Sequence, residues 1–190
     1  MNVALRKPMT LEQFLAWEAK QELRYEFDGT RPVAMTGGTV AHDKITFNIR
    51  KALDARLAGK PCQPFGPNVK VIVAGSVRYP DTVVTCTLPA YNASVVDAPV
   101  VIFEVASESS SRTDRIEKLR EYQATESIQR YVIVEQTSIG ASVFVREADK
   151  WTAYALTENE MLQMPEIGIE VPMVEFYAGV DLPPLPESDR

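Results

Sequence analysis

The chain has 190 residues, 45% of them hydrophobic and 24% charged, with a formal net charge of -6. That length supports one sizeable core, and no apolar run approaches the roughly 20 residues a membrane helix needs. With one histidine and two cysteines, zinc sites built from several such ligands have no material, and a Ser-His-Asp relay would have to use His42.

The first residues, Met-Asn-Val-Ala-Leu-Arg-Lys-Pro, hold no secretory apolar segment, so a soluble, cytoplasmic protein is expected. One domain over residues 1–182 is expected, followed by a proline-rich, flexible tail over 183–190. The charge is uneven. From Glu147 to Arg190 there are ten acidic and two basic residues, so the rest of the chain is net positive. Lys44, Arg50, Lys51, Arg56, Lys60 and Lys70 stand against Asp43 and Asp54 in one short window, the composition of a basic face.

Thr10-Leu-Glu-Gln13 has capping-box spacing, and Leu11, Phe14, Leu15 and Trp17 give a short helix its apolar stripe. Arg24 to Phe27 and Arg31 to Thr36, on either side of Asp28-Gly29, read as a hairpin. Glu26 sits in its first arm between two aromatics. A longer helix is predicted from Thr39 to Leu57, where Ile45, Ile49, Leu53 and Leu57 recur every fourth residue and Gly59 marks the stop. His42 falls in its first turn.

Pro61, Pro64, Gly66 and Pro67 mark a loop. Asn68 to Ala74 alternates and reads as a strand, Gly75-Ser76 as a turn, and Tyr79 to Cys86 as a further strand with Asp81 at its entrance. Cys62 and Cys86 form no metal or redox motif and are assigned packing roles rather than a disulfide. Beyond the connection from Leu88 to Pro99, Val-Val-Ile-Phe-Glu-Val-Ala is a short, β-branched apolar run: a buried strand carrying Glu104. An ionised carboxylate buried there needs a cation or donors.

Ser111-Arg-Thr-Asp114 has the spacing of a capping box opening the next helix, in which Asp114, Lys118 and Tyr122 share one face at i, i+4 spacing. Arg130 to Glu135 is predicted as a strand, and Ala141 to Arg146 with Trp151 to Leu156 as a hairpin. The end alternates weakly through Ile167, Ile169, Val171 and Val174.

Two carboxylates on neighbouring strands, Asp81 and Glu104, suit one hard cation such as Mg²⁺, and the carbonyl of Val105 offers a third oxygen. A nearby lysine would orient attacking water and stabilise charge developing on a phosphate. That is equipment for metal-assisted phosphodiester hydrolysis.

Pro80-Asp81, Glu104-Val-Ala-Ser107, the run from Asp114 to Tyr122 and Tyr131-Val-Ile-Val resemble, in that order, the Uma-two family of restriction endonuclease-like proteins, within the PD-(D/E)XK nuclease superfamily. Tyr25-Glu-Phe-Asp-Gly29, His42 and the closing Pro-Glu-Ile-Gly-Ile-Glu-Val-Pro extend the resemblance over residues 9 to 182. It implies an α/β fold of restriction-endonuclease type, with a mixed central sheet flanked by helices and hairpin extensions. It makes Asp81 and Glu104 metal ligands, Lys118 the catalytic lysine, and Glu26 a contact to the metal or its water. His42, Asp114 and Tyr122 would support the pocket. The superfamily's lysine two residues after the glutamate is replaced by Ala106, a feature the Uma-two proteins share, with Lys118 reaching back from the helix. The implied activity is a Mg²⁺- or Mn²⁺-dependent endonuclease acting on double-stranded DNA as a homodimer. The alternative is a catalytically silent nucleic-acid-binding or dimer-scaffold protein that keeps the fold.

Overall fold

The computed structural model describes residues 8–35, 37–107 and 112–184, with the side chains of 112–114 left aside. The chain opens with α1 (Leu11–Glu18), β1 (Tyr25–Phe27), β2 (Pro32–Ala34) and α2 (Val40–Leu57). Four short strands follow: β3 (Gln63–Phe65), β4 (Val71–Val73), β5 (Ser76–Arg78) and β6 (Thr82–Thr85). Then come β7 (Pro99–Val105), α3 (Arg112–Ala124), β8 (Arg130–Val134), β9 (Gly140–Glu147) and β10 (Lys150–Thr157). The chain closes with β11 (Met161–Met164), β12 (Ile169–Pro172) and two short 3₁₀ turns.

Local chemistry explains several boundaries. Thr10 and Gln13 complete a reciprocal capping box at α1, and Thr39 caps α2 by accepting from the His42 amide. Asp28 accepts from the amides of Thr30 and Arg31 and so closes the β1–β2 hairpin as an Asx turn. Ala74 and Gly75 take φ of 48° and 84°, the paired positive values of a tight hairpin turn between β4 and β5. The Ser111–Asp114 capping box and the tail beyond Pro184 lie outside the described residues.

The central sheet has six strands in the order β10-β9-β8-β7-β6-β3. Within it β7 and β8 pair in parallel across the α3 crossover, while its other pairs are antiparallel. This is the mixed central sheet flanked by helices that the sequence leads one to expect. A four-stranded sheet, β2-β1-β5-β4, stands beside it, and β11 pairs with β12.

Strand alternation sorts the core. Val101, Phe103 and Val105 join Ile45, Ile49 and Leu53 of α2 in the largest apolar cluster, completed by Met173 and Phe176. On the opposite face Ile102 packs with Tyr122, Ile128, Tyr131, Val71 and Val73. Glu104, two residues from Ile102, therefore projects toward the α3 side.

Three expectations need correction. Residues 63–65, inside the stretch read as a loop, form an edge strand paired with β6. Its Pro64 is tolerated there because an edge strand leaves some amides outside the ladder. The run from Tyr79 to Cys86 is not one strand: β6 starts at Thr82, and Tyr79 to Asp81 bridge from β5 in the other sheet. Finally, Cys62 and Cys86 form a disulfide. Gln63 pairs with Thr85, which brings the two flanking cysteines together; without β3 in view their pairing is invisible. The β6–β7 connection ends in a parallel bridge from Val95 to Lys70, and its Tyr91 is fully exposed.

Candidate functional site

The site gathers where the two sheets meet. Asp81 lies in the link from β5 to β6, directly after Pro80. Its Oδ2 accepts from the Val105 amide at 2.7 Å and stands 3.2 Å from His42 Nε2. One carboxylate oxygen thus ties the head of α2 to the end of β7.

Glu104 Oε1 is held by two side chains of α3. Lys118 Nζ donates to it at 3.2 Å and the Tyr122 hydroxyl at 3.0 Å. These residues sit one helical turn apart, so a single face of α3 reaches the strand. Lys118 Nζ also lies 3.6 Å from Glu26 Oε1. Glu26 in turn accepts from the Tyr79 amide at 3.2 Å and from Arg78 Nη1 at 3.1 Å. Of the eight residues singled out in the sequence, seven converge: Glu26, His42, Asp81, Glu104, Val105, Lys118 and Tyr122. The eighth, Asp114, lies on α3 with its side chain outside the described residues.

The acidic cluster sets the electrostatics. Burial pushes the Glu104 carboxyl up to about 7; Lys118 opposes the shift, and the Asp81 and Glu26 carboxylates reinforce it. The Asp81 hydrogen bond raises the His42 imidazole above its ordinary value, against burial, and the charges of Asp81 and Glu104 add to that. Burial, followed by the Glu104 charge, holds the Tyr122 phenol protonated well above its usual range, so its hydroxyl stays a donor.

Arg78 is the member that sequence reading missed. It is almost fully buried and grips Glu121 through Nε and Nη2, each at 2.7 Å, while Nη1 reaches Glu26. Ser76 donates to the same Glu121 at 2.8 Å. Glu121 precedes Tyr122, so this clamp fixes α3 against the small sheet and fixes Glu26 beside Lys118. The position of Arg78 at a strand end gives no sign of it, because its partners are 52 and 43 residues away.

The expected basic face is smaller than its sequence suggests. Lys70 is buried in an ion pair with Glu18, which also accepts from the Tyr79 hydroxyl. Arg56 pairs with Glu175 at 2.7 Å, and Lys60 donates to the Gly168 carbonyl at 2.7 Å. Of the others on α2, Lys51 is exposed and Lys44 and Arg50 are half-buried.

A family profile described as "Putative restriction endonuclease", Uma2, matches residues 11–173. The chain belongs to the Uma2 family. Two Synechocystis sp. (strain ATCC 27184 / PCC 6803 / Kazusa) proteins are similar to it along most of their length. Uncharacterized protein slr1290 is 25% identical over 173 residues, covering 89% of this chain and 91% of that protein. Uncharacterized protein sll1609 is 24% identical over 163 residues, covering 83% and 91%. The fold of this Uma2 chain also matches a crystal structure from Anabaena variabilis ATCC 29413, titled a putative nuclease belonging to DUF820. The TM-score is 0.74 at 14% identity, with 90% of this chain and 98% of the other covered. The family resemblance read from the sequence is thereby borne out. Among the described residues no helix is long and apolar enough to cross a membrane.

Proposed function

We propose that this Uma2 protein is a divalent-metal-dependent endonuclease that hydrolyses phosphodiester bonds of double-stranded DNA. The observation that carries this reading is the contact of Lys118 with both Glu104 and Glu26, in a site where burial, with the charges of Asp81 and Glu26, holds the Glu104 proton up to about 7. Carboxylates crowded in this way favour a cation.

The donor set suits a hard ion. Among the described residues no group of three or more His, Cys, Asp or Glu side chains is arranged to hold a metal. Two carboxylates, Asp81 and Glu104, with the Val105 carbonyl, match the habit of Mg²⁺, which takes one or two carboxylates and completes its shell with water and phosphate. Mn²⁺ suits the same oxygens. The ion would supply Lewis acidity toward the phosphate and lower the pKa of bound water.

The chain's own groups have distinct tasks. Lys118 carries the positive charge that faces the phosphate and orients the attacking water. Glu26 holds Lys118 in place and accepts a hydrogen bond from water. Tyr122 fixes one oxygen of Glu104, leaving the other for the cation. His42 and the Val105 amide fix Asp81 in the same way. A two-fold homodimer would match the symmetry of a duplex.

The test is cleavage of supercoiled plasmid in Mg²⁺ and in Mn²⁺ by wild type, Asp81→Asn and Glu104→Gln. Cleavage by wild type, with a loss of at least about 100-fold in both variants, is expected. Wild-type inactivity on DNA and RNA in both metals would favour the silent binding or scaffold protein, in which the contact of Lys118 with Glu104 is a structural ion pair. Equal cleavage by all three proteins would reveal a contaminant.

A further inference from the structure

We infer that the groove between the exposed side of α2 and the end of β3 binds an unpaired stretch of nucleic acid flanking the duplex. This inference rests on the nuclease reading and names a part of the substrate that the acidic site does not touch. The groove has a volume of about 570 Å³ and is lined by Phe47, Arg50, Lys51 and Asp54 of α2 and by Phe65 and Gly66. That is room for one or two nucleotides, within the usual range of ligand pockets of roughly 300 to 1,000 Å³.

Three observations converge on a strand of this chemistry. The first is charge. In a chain of net charge -6, Arg50 and Lys51 line the groove against Asp54, and Lys44 lies over the Phe47 ring at 5.6 Å. The neighbouring cations Arg56, Lys60 and Lys70 are already engaged. The second is an unmet donor. Arg50 Nε is shielded from solvent without a hydrogen-bond partner, although buried donors are normally satisfied. Gly66 makes room for this guanidinium, since a Cβ there would lie 2.6 Å from Arg50 Nη1. The third is Phe47, 49% exposed in the middle of a helix. A cationic groove beside an exposed ring is the combination that holds single strands: phosphates meet the cations, and a base stacks on the ring as the flexible Lys44 ammonium moves from its face to a phosphate. A duplex hides its base faces in its own stack, so the ring selects an unpaired nucleotide.

Position joins the groove to the site. His42, which touches Asp81, lies on the first turn of α2, and Arg50 follows eight residues on, about 12 Å along the axis. The opposite wall is equally direct, because Phe65 pairs with Val83, next to the strand start that follows Asp81. A strand leaving the acidic cluster therefore reaches Arg50 within about two nucleotides.

The experiment measures fluorescence anisotropy in EDTA, where nothing is cut, with a 16-bp duplex either blunt or carrying a six-nucleotide dT overhang. Wild type is expected to prefer the overhang by roughly ten-fold. Arg50→Ala/Lys51→Ala should lose that preference and lower the salt slope of overhang binding by about 1.4, the value for two phosphates on a single strand. Phe47→Ala should weaken binding about ten-fold to the dT overhang but not to an abasic one, with the slope unchanged. Gly66→Ala, which pushes Arg50 aside, should weaken overhang binding without changing thermal stability. A U-containing overhang with the same dependence supports the same chemistry. Equal binding of blunt and overhang duplexes, or variants indistinguishable from wild type, would overturn the inference. Overhang preference without plasmid cleavage would sink the nuclease reading and leave the groove standing.

Discussion

Glu104 keeps its proton up to about pH 7 in the folded chain, against an ordinary carboxyl value of 4.5. Folding therefore takes up a proton between those values, and stability falls as pH rises through the window. If Glu104 acted alone the loss would be on the order of 3 kcal/mol. His42 tilts the curve the same way: its raised value gives stability that is present at low pH and lost as the imidazole deprotonates. Thermal melts in EDTA should show a melting temperature that declines from about pH 5 through pH 7 and levels only once His42 has also lost its proton. Glu104→Gln should flatten most of that decline and melt higher than wild type at pH 8. A melting temperature that climbs through the same window in wild type would mean that Glu104 is ionised throughout. The residue was legible in the sequence for a physical reason: an acid inside a β-branched apolar run has to be explained by its surroundings. Lys118 and Tyr122 were legible because helical period alone places them on one face. Arg78 was not, since a buried cation betrays itself only through partners brought close by folding.

At the scale of elements, β3 shows where sequence signals mislead. Prolines and a glycine punctuate residues 61–67, and those signals describe a loop well. Here they describe an edge strand, whose pairing with β6 is reinforced by the Cys62–Cys86 bond. The bond closes a loop of sequence separation 24, for which restriction of the unfolded chain is worth about 3 kcal/mol. Cys62→Ser/Cys86→Ser, or reduction with a strong dithiol, should lower the free energy of unfolding by about 2 to 4 kcal/mol in urea melts. If neither changes the urea midpoint, the bond does not persist in the folded protein. The longer elements were easier to read: α2 repeats its apolar residues over 18 residues, and β9 and β10 alternate on both sides of a turn. Long periodic segments constrain their own structure, whereas three-residue strands depend on a partner elsewhere.

At the scale of the whole molecule, the two sheets are joined through the site itself. Arg78 and Glu121 fasten the small sheet to α3, while Asp81 and the Val105 amide fasten β6 to β7. The site residues fall on both sides of the loop that carries Tyr91: Glu26, His42 and Asp81 precede it, and Glu104, Lys118 and Tyr122 follow. Leu88 and Tyr91 in this loop are exposed, so brief chymotrypsin treatment should cut there first. The nicked protein should elute from a sizing column as one particle and separate into two pieces on a denaturing gel. Dissociation of the pieces in native buffer would show that the β6–β7 ladder is weaker than its register implies. Because the disulfide lies wholly in the first piece, nothing covalent would link the two. Such a chain divides into complementing fragments, one contributing Asp81 and the other Glu104. Expressed apart, neither fragment carries a complete acidic cluster, and mixing them would reassemble that cluster only as they fold together, a split sensor for their own association.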